Sequence, residues 1–216
     1  MLTRVRELLS ASRGSADRDA GFTLIEMLVT MLVFGMLGAI VLAISLTSLK
    51  TSRTTQNRVV GTDQAQQATE RMARDLRSAD PLVTATANDM SAKVYRNGHC
   101  EIHRWYLGAT GALLQDTQKY AASTTCATAT GTPSTAVTTT LVTKVDNTAA
   151  TPLFTFARWD TTANPPALQT MSSPVPAANV PLVDRINVVI DVYQPESHAD
   201  VVVQSAVDLR NVVTNS

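Results

Sequence analysis

The longest apolar stretch of the chain lies near its N-terminus. Residues 27–49 read MLVTMLVFGMLGAIVLAISLTSL and contain no charged side chain. A helix needs about 20 apolar residues to cross the hydrocarbon core of a bilayer, and no other part of the sequence approaches this length. The pattern therefore predicts one membrane-spanning helix.

Beyond Lys50 the apolar positions become sparse but keep a helical spacing. They recur every three or four residues, which is typical of one apolar stripe on an amphipathic helix: Ala65, Ala68, Met72, Leu76 and Ala79. We expect two ion pairs on the solvent-exposed side of this helix, Glu70 with Arg74 and Arg71 with Asp75. Because Pro81 disfavours helix in the residue before it, we expect one helix over residues 22–79.

The rest of the chain alternates apolar and polar positions as strands do. The best signal is a β-hairpin formed by residues 186–192 and 201–209. Weaker strand candidates are 92–96, 101–107, 112–120, 138–145 and 153–159. Loops are expected in the threonine-rich residues 121–151 and in residues 164–181, which contain five prolines. We therefore expect an antiparallel sheet packed on the stripe of the helix, an α+β fold.

Charge adds an orientation to this picture. The chain has 18 basic and 18 acidic residues, which argues against nucleic-acid binding by bulk charge. Residues 1–21 carry four arginines and three acids, and arginine next to a membrane segment marks the cytoplasmic side. The N-terminus is therefore expected inside and the C-terminal domain outside.

One acid stands inside the apolar block that begins at Phe22. An ionisable group such as Glu26 is costly within a membrane segment and is a functional hypothesis by default. The alternative is that Glu26 lies at the headgroup level and reaches towards water.

The sequence GFTLIE at residues 21–26, followed by MLV, resembles the N-terminus of type IV prepilins and type II secretion pseudopilins. The resemblance implies that a prepilin peptidase cuts after Gly21 on the cytoplasmic face and methylates the new amine of Phe22. It makes Glu26 the acid of the fifth mature position. Within a filament, Glu26 of one subunit would neutralise the amine of a neighbour, which would set register more than stability.

The resemblance also implies a division of the chain. Residues 1–21 would be the leader, 22–49 the transmembrane and filament-core helix, 50–80 the amphipathic stem, and 81–216 the β-rich head. Gly35 and Gly38 would permit close helix packing or local melting on assembly, or they are simply tolerated. Residues 72–79 and 205–211 resemble, more weakly, the minor pilin W and pseudopilin J group.

Cys100 and Cys126 are the two cysteines of the chain. An exported head would preserve a disulfide between them, which could stabilise it by about 3–4 kcal/mol in the chain-entropy model. The alternative is two buried thiols.

The remaining chemistry-bearing residues do not form a recognisable site. His99 and His103 lack a third metal ligand and a metal-binding motif, so we assign no metal, no cofactor and no catalytic residue. Arg104, Trp105 and Tyr106 could stack on single-stranded nucleic acid, but aromatic side chains in a sheet are the simpler interpretation.

The function expected from the sequence is that of a structural minor pilin, in a priming or tip complex of a type IV pilus, located first in the inner membrane and then in an extracellular or periplasmic filament. Its expected partners are the prepilin peptidase, major and minor pilins, the inner-membrane assembly platform and, before assembly, membrane lipid; nucleic acid would be a partner only in an uptake role. A pseudopilin of a type II secretion or competence DNA-uptake system is one alternative. A membrane-anchored extracytoplasmic enzyme is the other.

Overall fold

The computed structural model describes residues 23–121, 125–126, 129, 131–193 and 201–209, without the side chain of Asp80. The chain divides into two units, Met1–Thr51 and Ser52–Ser216. The described part of the first unit is a continuous stretch of helix, and the second unit contains the remainder of that helix and all the strands.

Helix α1 spans Leu24–Arg77, close to the predicted range of 22–79. The predicted stripe is buried: Ala65, Met72 and Leu76 are 0% exposed. Asp75, which was expected on the wet side with Arg71, is also buried, so that prediction was wrong. Position 75 lies three residues after Met72 and therefore falls on the same face of the helix.

In the part of the chain that the structure describes, nine strands follow the helix. They are β1 Ala79–Ala85, β2 Asp89–Arg96, β3 His99–Leu107, β4 Leu113–Lys119, β5 Val137–Val142, β6 Phe154–Asp160, β7 Ala167–Thr170, β8 Arg185–Val192 and β9 Val201–Asp208, with a 3₁₀ helix at Ala177–Leu182. Each candidate strand has a counterpart here, and the predicted hairpin is β8 and β9. The strands β1 and β7 were not expected, and residues 164–181 are more regular than predicted.

The strands form two antiparallel sheets rather than one. The first has the order β1-β2-β3-β4-β5 and the second the order β7-β6-β8-β9. One core cluster combines the buried face of α1 with the inner faces of both sheets, including Trp105, Phe156 and Ile186. The structure is therefore an α+β, pilin-like architecture, as the sequence predicts, in which the helix residues from 65 onward pack on the sheets.

The β2–β3 connection is a two-residue turn at Asn97 and Gly98. Both residues have positive φ angles, 52° and 80°, which an Asn-Gly hairpin turn accommodates. This turn sets the register of β2 on β3, in which Ala92 lies opposite His103 and Val94 lies opposite Glu101. The inner face of β3 is thereby aimed at the C-terminal end of α1.

Candidate functional site

The start of α1 is capped by Thr23. The hydroxyl Oγ1 of Thr23 accepts a hydrogen bond from the backbone N–H of Glu26 at 3.3 Å. A threonine followed three residues later by a glutamate is the capping-box sequence, and an acid in the first turn is favoured by the helix dipole. Glu26 thus has a local structural reason for its position. The predicted processing residues, Gly21 and Phe22, lie outside the described residues.

The apolar side chains that follow are exposed. The large apolar residues of α1 between Leu24 and Leu49 are 46% to 84% exposed. The few hydroxyl groups among them bond to their own helix: Thr30 to the carbonyl of Met27 at 2.9 Å and Ser45 to that of Val41 at 2.8 Å. Helix α1 is long and apolar enough to cross a membrane, and these hydroxyl groups are satisfied by its own backbone rather than by water, as a bilayer requires.

Gly35 and Gly38 lie inside this uninterrupted helix. A Cβ atom built on either glycine would have no atom within 4 Å. Packing within the described chain therefore does not require glycine at these positions. Any need for it comes from contacts that the helix makes with other molecules or from changes in its conformation, and the predicted flexibility stays a prediction.

The predicted disulfide between Cys100 and Cys126 is formed, with a Cα–Cα distance of 5.1 Å. Both cysteines are buried, and they share a small apolar cluster with Ala129 and the partly buried Tyr120. This cluster lies apart from the main core, because Cys100 alternates along β3 with the inward-facing Glu101 and His103. The bridge therefore ties part of the threonine-rich segment to the five-stranded sheet.

A buried charge network joins α1 to that sheet. Nδ1 of His103 lies 2.9 Å from Oδ2 of Asp75 on α1, and Nε2 lies 3.0 Å from Oε2 of Glu101 on the same strand. His103 is 2% exposed, and the two carboxylates are nearly as buried. Two exposed cations flank the network: Lys119 Nζ lies 3.3 Å from Glu101 Oε1, and Arg96 Nη1 lies 3.6 Å from Asp75 Oδ1.

This arrangement shifts two pKa values in opposite directions. Burial opposes the protonation of His103, but its hydrogen bonds to Asp75 and Glu101 outweigh burial and raise its pKa. Burial likewise opposes ionisation of Glu101, but hydrogen bonds to His103 and Lys119 outweigh it and lower its pKa. The network therefore favours an imidazolium between two carboxylates.

The network is not a metal centre. Asp75 and Glu101 contact opposite nitrogens of His103, so their oxygens do not converge on one point. His99, the other half of the sequence pair, is exposed on the same strand. Within the described ranges no group of three or more His, Cys, Asp or Glu side chains could hold a metal ion.

The three residues considered for nucleic-acid stacking are buried or make contacts within the described chain. Trp105 is 0% exposed and belongs to the main core. Arg104 donates from Nε to Oδ1 of Asp89 at 3.0 Å, and its guanidinium lies 4.6 Å from the ring centroid of Tyr106. The trio is therefore not arranged as a stacking platform.

The sequence did not reveal three members of this network: Asp75 and Gln115, whose side chains reach the ring of His103, and Lys119, which pairs with Glu101. The signal for Asp75 was its place on the apolar stripe, three residues after Met72, where an acid needs a buried partner. Alternation along β3 places Glu101, His103 and Trp105 on one face, which was a second signal. Gln115 and Lys119 join them only through the pairing of β3 with β4.

The N-terminal part of the chain matches a known protein family. The model of the prokaryotic N-terminal methylation motif matches residues 17–42, which include Gly21, Phe22 and Glu26. The motif and the long apolar helix that follows it are consistent with a type IV prepilin-like protein, and they point to a structural role rather than to an enzyme. Neither the curated proteins nor the solved structures include a match to the chain.

Proposed function

We propose that this chain, which carries the prepilin-type methylation motif, is a structural minor pilin of a type IV pilus. The prepilin peptidase cleaves it after Gly21 and methylates Phe22. Before assembly α1 spans the inner membrane, with the N-terminus inside and the head outside. Residues 1–21 serve as leader, 22–49 as filament-core helix, 50–80 as stem and 81–216 as head.

The observation that carries this proposal is the position of the motif on an exposed apolar helix. The motif at residues 17–42 runs into α1, whose large apolar side chains between Leu24 and Leu49 have no cover from the described chain. An apolar surface of this extent marks a membrane or protein interaction site. Lipid covers it before assembly, and the helices of other pilins cover it afterwards.

The assignment to the minor pilins rests on weaker likenesses. Residues 72–79 and 205–211 resemble the minor pilin W and pseudopilin J group, which supports a place in a priming or tip complex. Because the tip-most pseudopilin of the family often lacks the acid, the presence of Glu26 favours a position beneath other subunits. The partners are then the prepilin peptidase, major and minor pilins and the inner-membrane assembly platform.

Glu26 has two candidate roles that a pair of substitutions separates. Its charge would neutralise the methylated amine of Phe22 on a neighbouring subunit. Its backbone and side chain would also complete the capping box with Thr23, in which glutamine serves as well as glutamate. Glu26→Gln removes the charge and keeps the side-chain half of the capping box, whereas Glu26→Ala removes both and retains only the bond from the backbone N–H of residue 26 to Thr23 Oγ1.

The test compares membrane and sheared-filament fractions of cells that express each variant. We expect the wild-type chain in both fractions, and both variants processed and membrane-bound but depleted from filaments. Normal incorporation of Glu26→Gln with loss of Glu26→Ala would assign Glu26 to capping and contradict the charge role. Absence of the wild-type chain from sheared pili of a piliated strain would contradict the pilus function.

The second candidate is a pseudopilin of a type II secretion or competence system. It is favoured by the likeness of residues 205–211 to the pseudopilin J group, and the methylation motif is common to both machines. Deletion of the gene separates them: loss of pili supports the proposal, whereas loss of protein secretion or of DNA uptake with normal pili supports the second candidate.

A further inference from the structure

Two side chains compete for the same nitrogen of His103. Nδ1 lies 2.9 Å from Oδ2 of Asp75 and 3.1 Å from Nε2 of Gln115. A carboxylate accepts hydrogen bonds and needs an N–H on Nδ1, whereas the amide Nε2 donates and needs the lone pair of Nδ1. The two bonds therefore exclude each other, and the protonation state of His103 selects between them.

In the protonated state both ring nitrogens carry hydrogen. Nε2–H donates to Glu101 on the same strand at 3.0 Å, and Nδ1–H donates to Asp75 on the last turn of α1. Gln115 then has to turn its Nε2 away. Its Oε1 is buried and makes no hydrogen bond within the described chain, so rotation of the amide breaks no hydrogen bond of that oxygen.

In the neutral state His103 has one N–H for two carboxylates. With the hydrogen on Nε2, the bond to Glu101 is kept, and the lone pair of Nδ1 accepts from Gln115. Asp75 then loses this hydrogen-bond donor, and among the described residues its carboxylate keeps an ion pair with the half-exposed Arg96 at 3.6 Å. Because a buried carboxylate without a hydrogen bond is costly, the end of α1 becomes less strongly held on the sheet.

The surroundings of His103 raise its pKa and thereby favour the protonated state. The charged groups that face it are Asp75 from α1 and Glu101 from β3. Lys119 from β4 and Arg96 from β2 act through these two carboxylates. The rings of Trp105 and His103 pack in a T-shaped arrangement at a centroid distance of 5.8 Å, and both side chains are buried.

We propose that Asp75, His103 and Gln115 form a proton-operated latch, which holds the C-terminal end of α1 on the five-stranded sheet and releases it when one proton leaves His103. Asp75 on the helix and Gln115 on the sheet bind the same atom, Nδ1 of His103, so the latch has two discrete states. It is closed while His103 is protonated and opens as the pH rises through the raised pKa of His103.

The direct test is ¹⁵N nuclear magnetic resonance of the full-length protein, labelled on histidine and held in detergent micelles, from about pH 5 to pH 10. The imidazole nitrogens distinguish imidazolium from the two neutral tautomers. We expect His103 to titrate above the ordinary histidine value of about 6.5 and to become the Nε2–H tautomer. Titration of His103 at or below that value, or conversion to the Nδ1–H tautomer, would overturn the proposal.

Two substitutions test the competition itself. Gln115→Met removes the competing donor while keeping an unbranched side chain, and it should raise the pKa of His103 because the neutral state loses a partner. Asp75→Asn should lower that pKa by about one pH unit or more. His99→Gln is the matched control on the same strand and should leave it unchanged. A lower pKa in Gln115→Met would contradict the latch.

Hydrogen exchange at the end of α1 reports the mechanical consequence. After correction for the intrinsic pH dependence of exchange, amides of residues 72–77 should lose protection as His103 deprotonates, while those of β8 should not. Unchanged protection across the titration of His103 would show that the bond to Asp75 does not hold the helix, and would refute the latch.

Discussion

Truncation of Leu76 tests whether the second half of α1 is a structural part of the head. Leu76 is 0% exposed and belongs to the core that joins α1 to both sheets. A fully buried leucine replaced by alanine costs about 2–5 kcal/mol. For a unit the size of residues 52–216, each kcal/mol lowers the melting temperature by about 2–4 °C. We therefore expect Leu76→Ala to melt about 4–20 °C below wild type.

The assay is thermal unfolding of the full chain in micelles, followed by tryptophan fluorescence, because Trp105 is buried in the same core. Leu46→Ala is the matched control, since Leu46 lies on the same helix but is 59% exposed. The free energy of unfolding of Leu46→Ala should stay within about 0.5 kcal/mol of the wild-type value. Equal melting of Leu76→Ala and wild type, or equal losses in the two variants, would refute the reasoning.

Three further predictions concern the head. Replacing Cys100 and Cys126 together by serine should lower the free energy of unfolding in urea by about 3–4 kcal/mol. Reduction of the wild-type protein should give the same loss. An unchanged free energy of unfolding would show that the bridge does not constrain the unfolded chain. Gly98→Ala should cost about 1 kcal/mol, because its φ of 80° is unfavourable for a side chain although space is open; a neutral result would show that the turn adapts. Stability should be greatest between about pH 4.5 and 6.5, because the raised pKa of His103 stabilises the fold below its unfolded value of 6.5 and the lowered pKa of Glu101 stabilises it above 4.5. The free energy of unfolding should fall as the pH rises through the folded pKa of His103, and also as the pH falls through the folded pKa of Glu101. A thermal-shift series in which the melting temperature rises steadily to about pH 9 would contradict this.

The elements that the sequence predicts well are those with a local cause. The stripe of α1 and the alternation of β8 and β9 follow directly from burying one face of a helix or strand. Strand β1 was missed because Asp80 and Pro81 break both patterns. As the edge strand of its sheet, β1 tolerates a proline that a central strand would not.

The division into two sheets depends on pairings between distant residues. Strand β7, also an edge strand, has only four residues and lies in the proline-rich segment. Such a short strand has too few positions to show alternation. The pairing of β6 with β8, rather than with β5, is not encoded in either strand alone. The alternation of apolar and polar positions therefore could not predict the division into two sheets.

The N-terminal motif was readable because processing acts on a linear segment. The network around His103 was not, because its members come from α1, β3 and β4. Asp75 and His103 are 28 residues apart in the sequence. On the isolated helix Asp75 could pair with Arg71 in solvent, but in the folded chain it is buried against His103. Local charge rules describe the isolated helix, and tertiary packing overrides them here.

The most direct test of the central claim is mass spectrometry of the mature N-terminus, in cells with and without the prepilin peptidase. The account predicts that the chain starts at an N-methylated Phe22 when the peptidase is present and retains residues 1–21 when it is absent. A chain that starts at Met1 in both strains, or one cut far from Gly21, would contradict it.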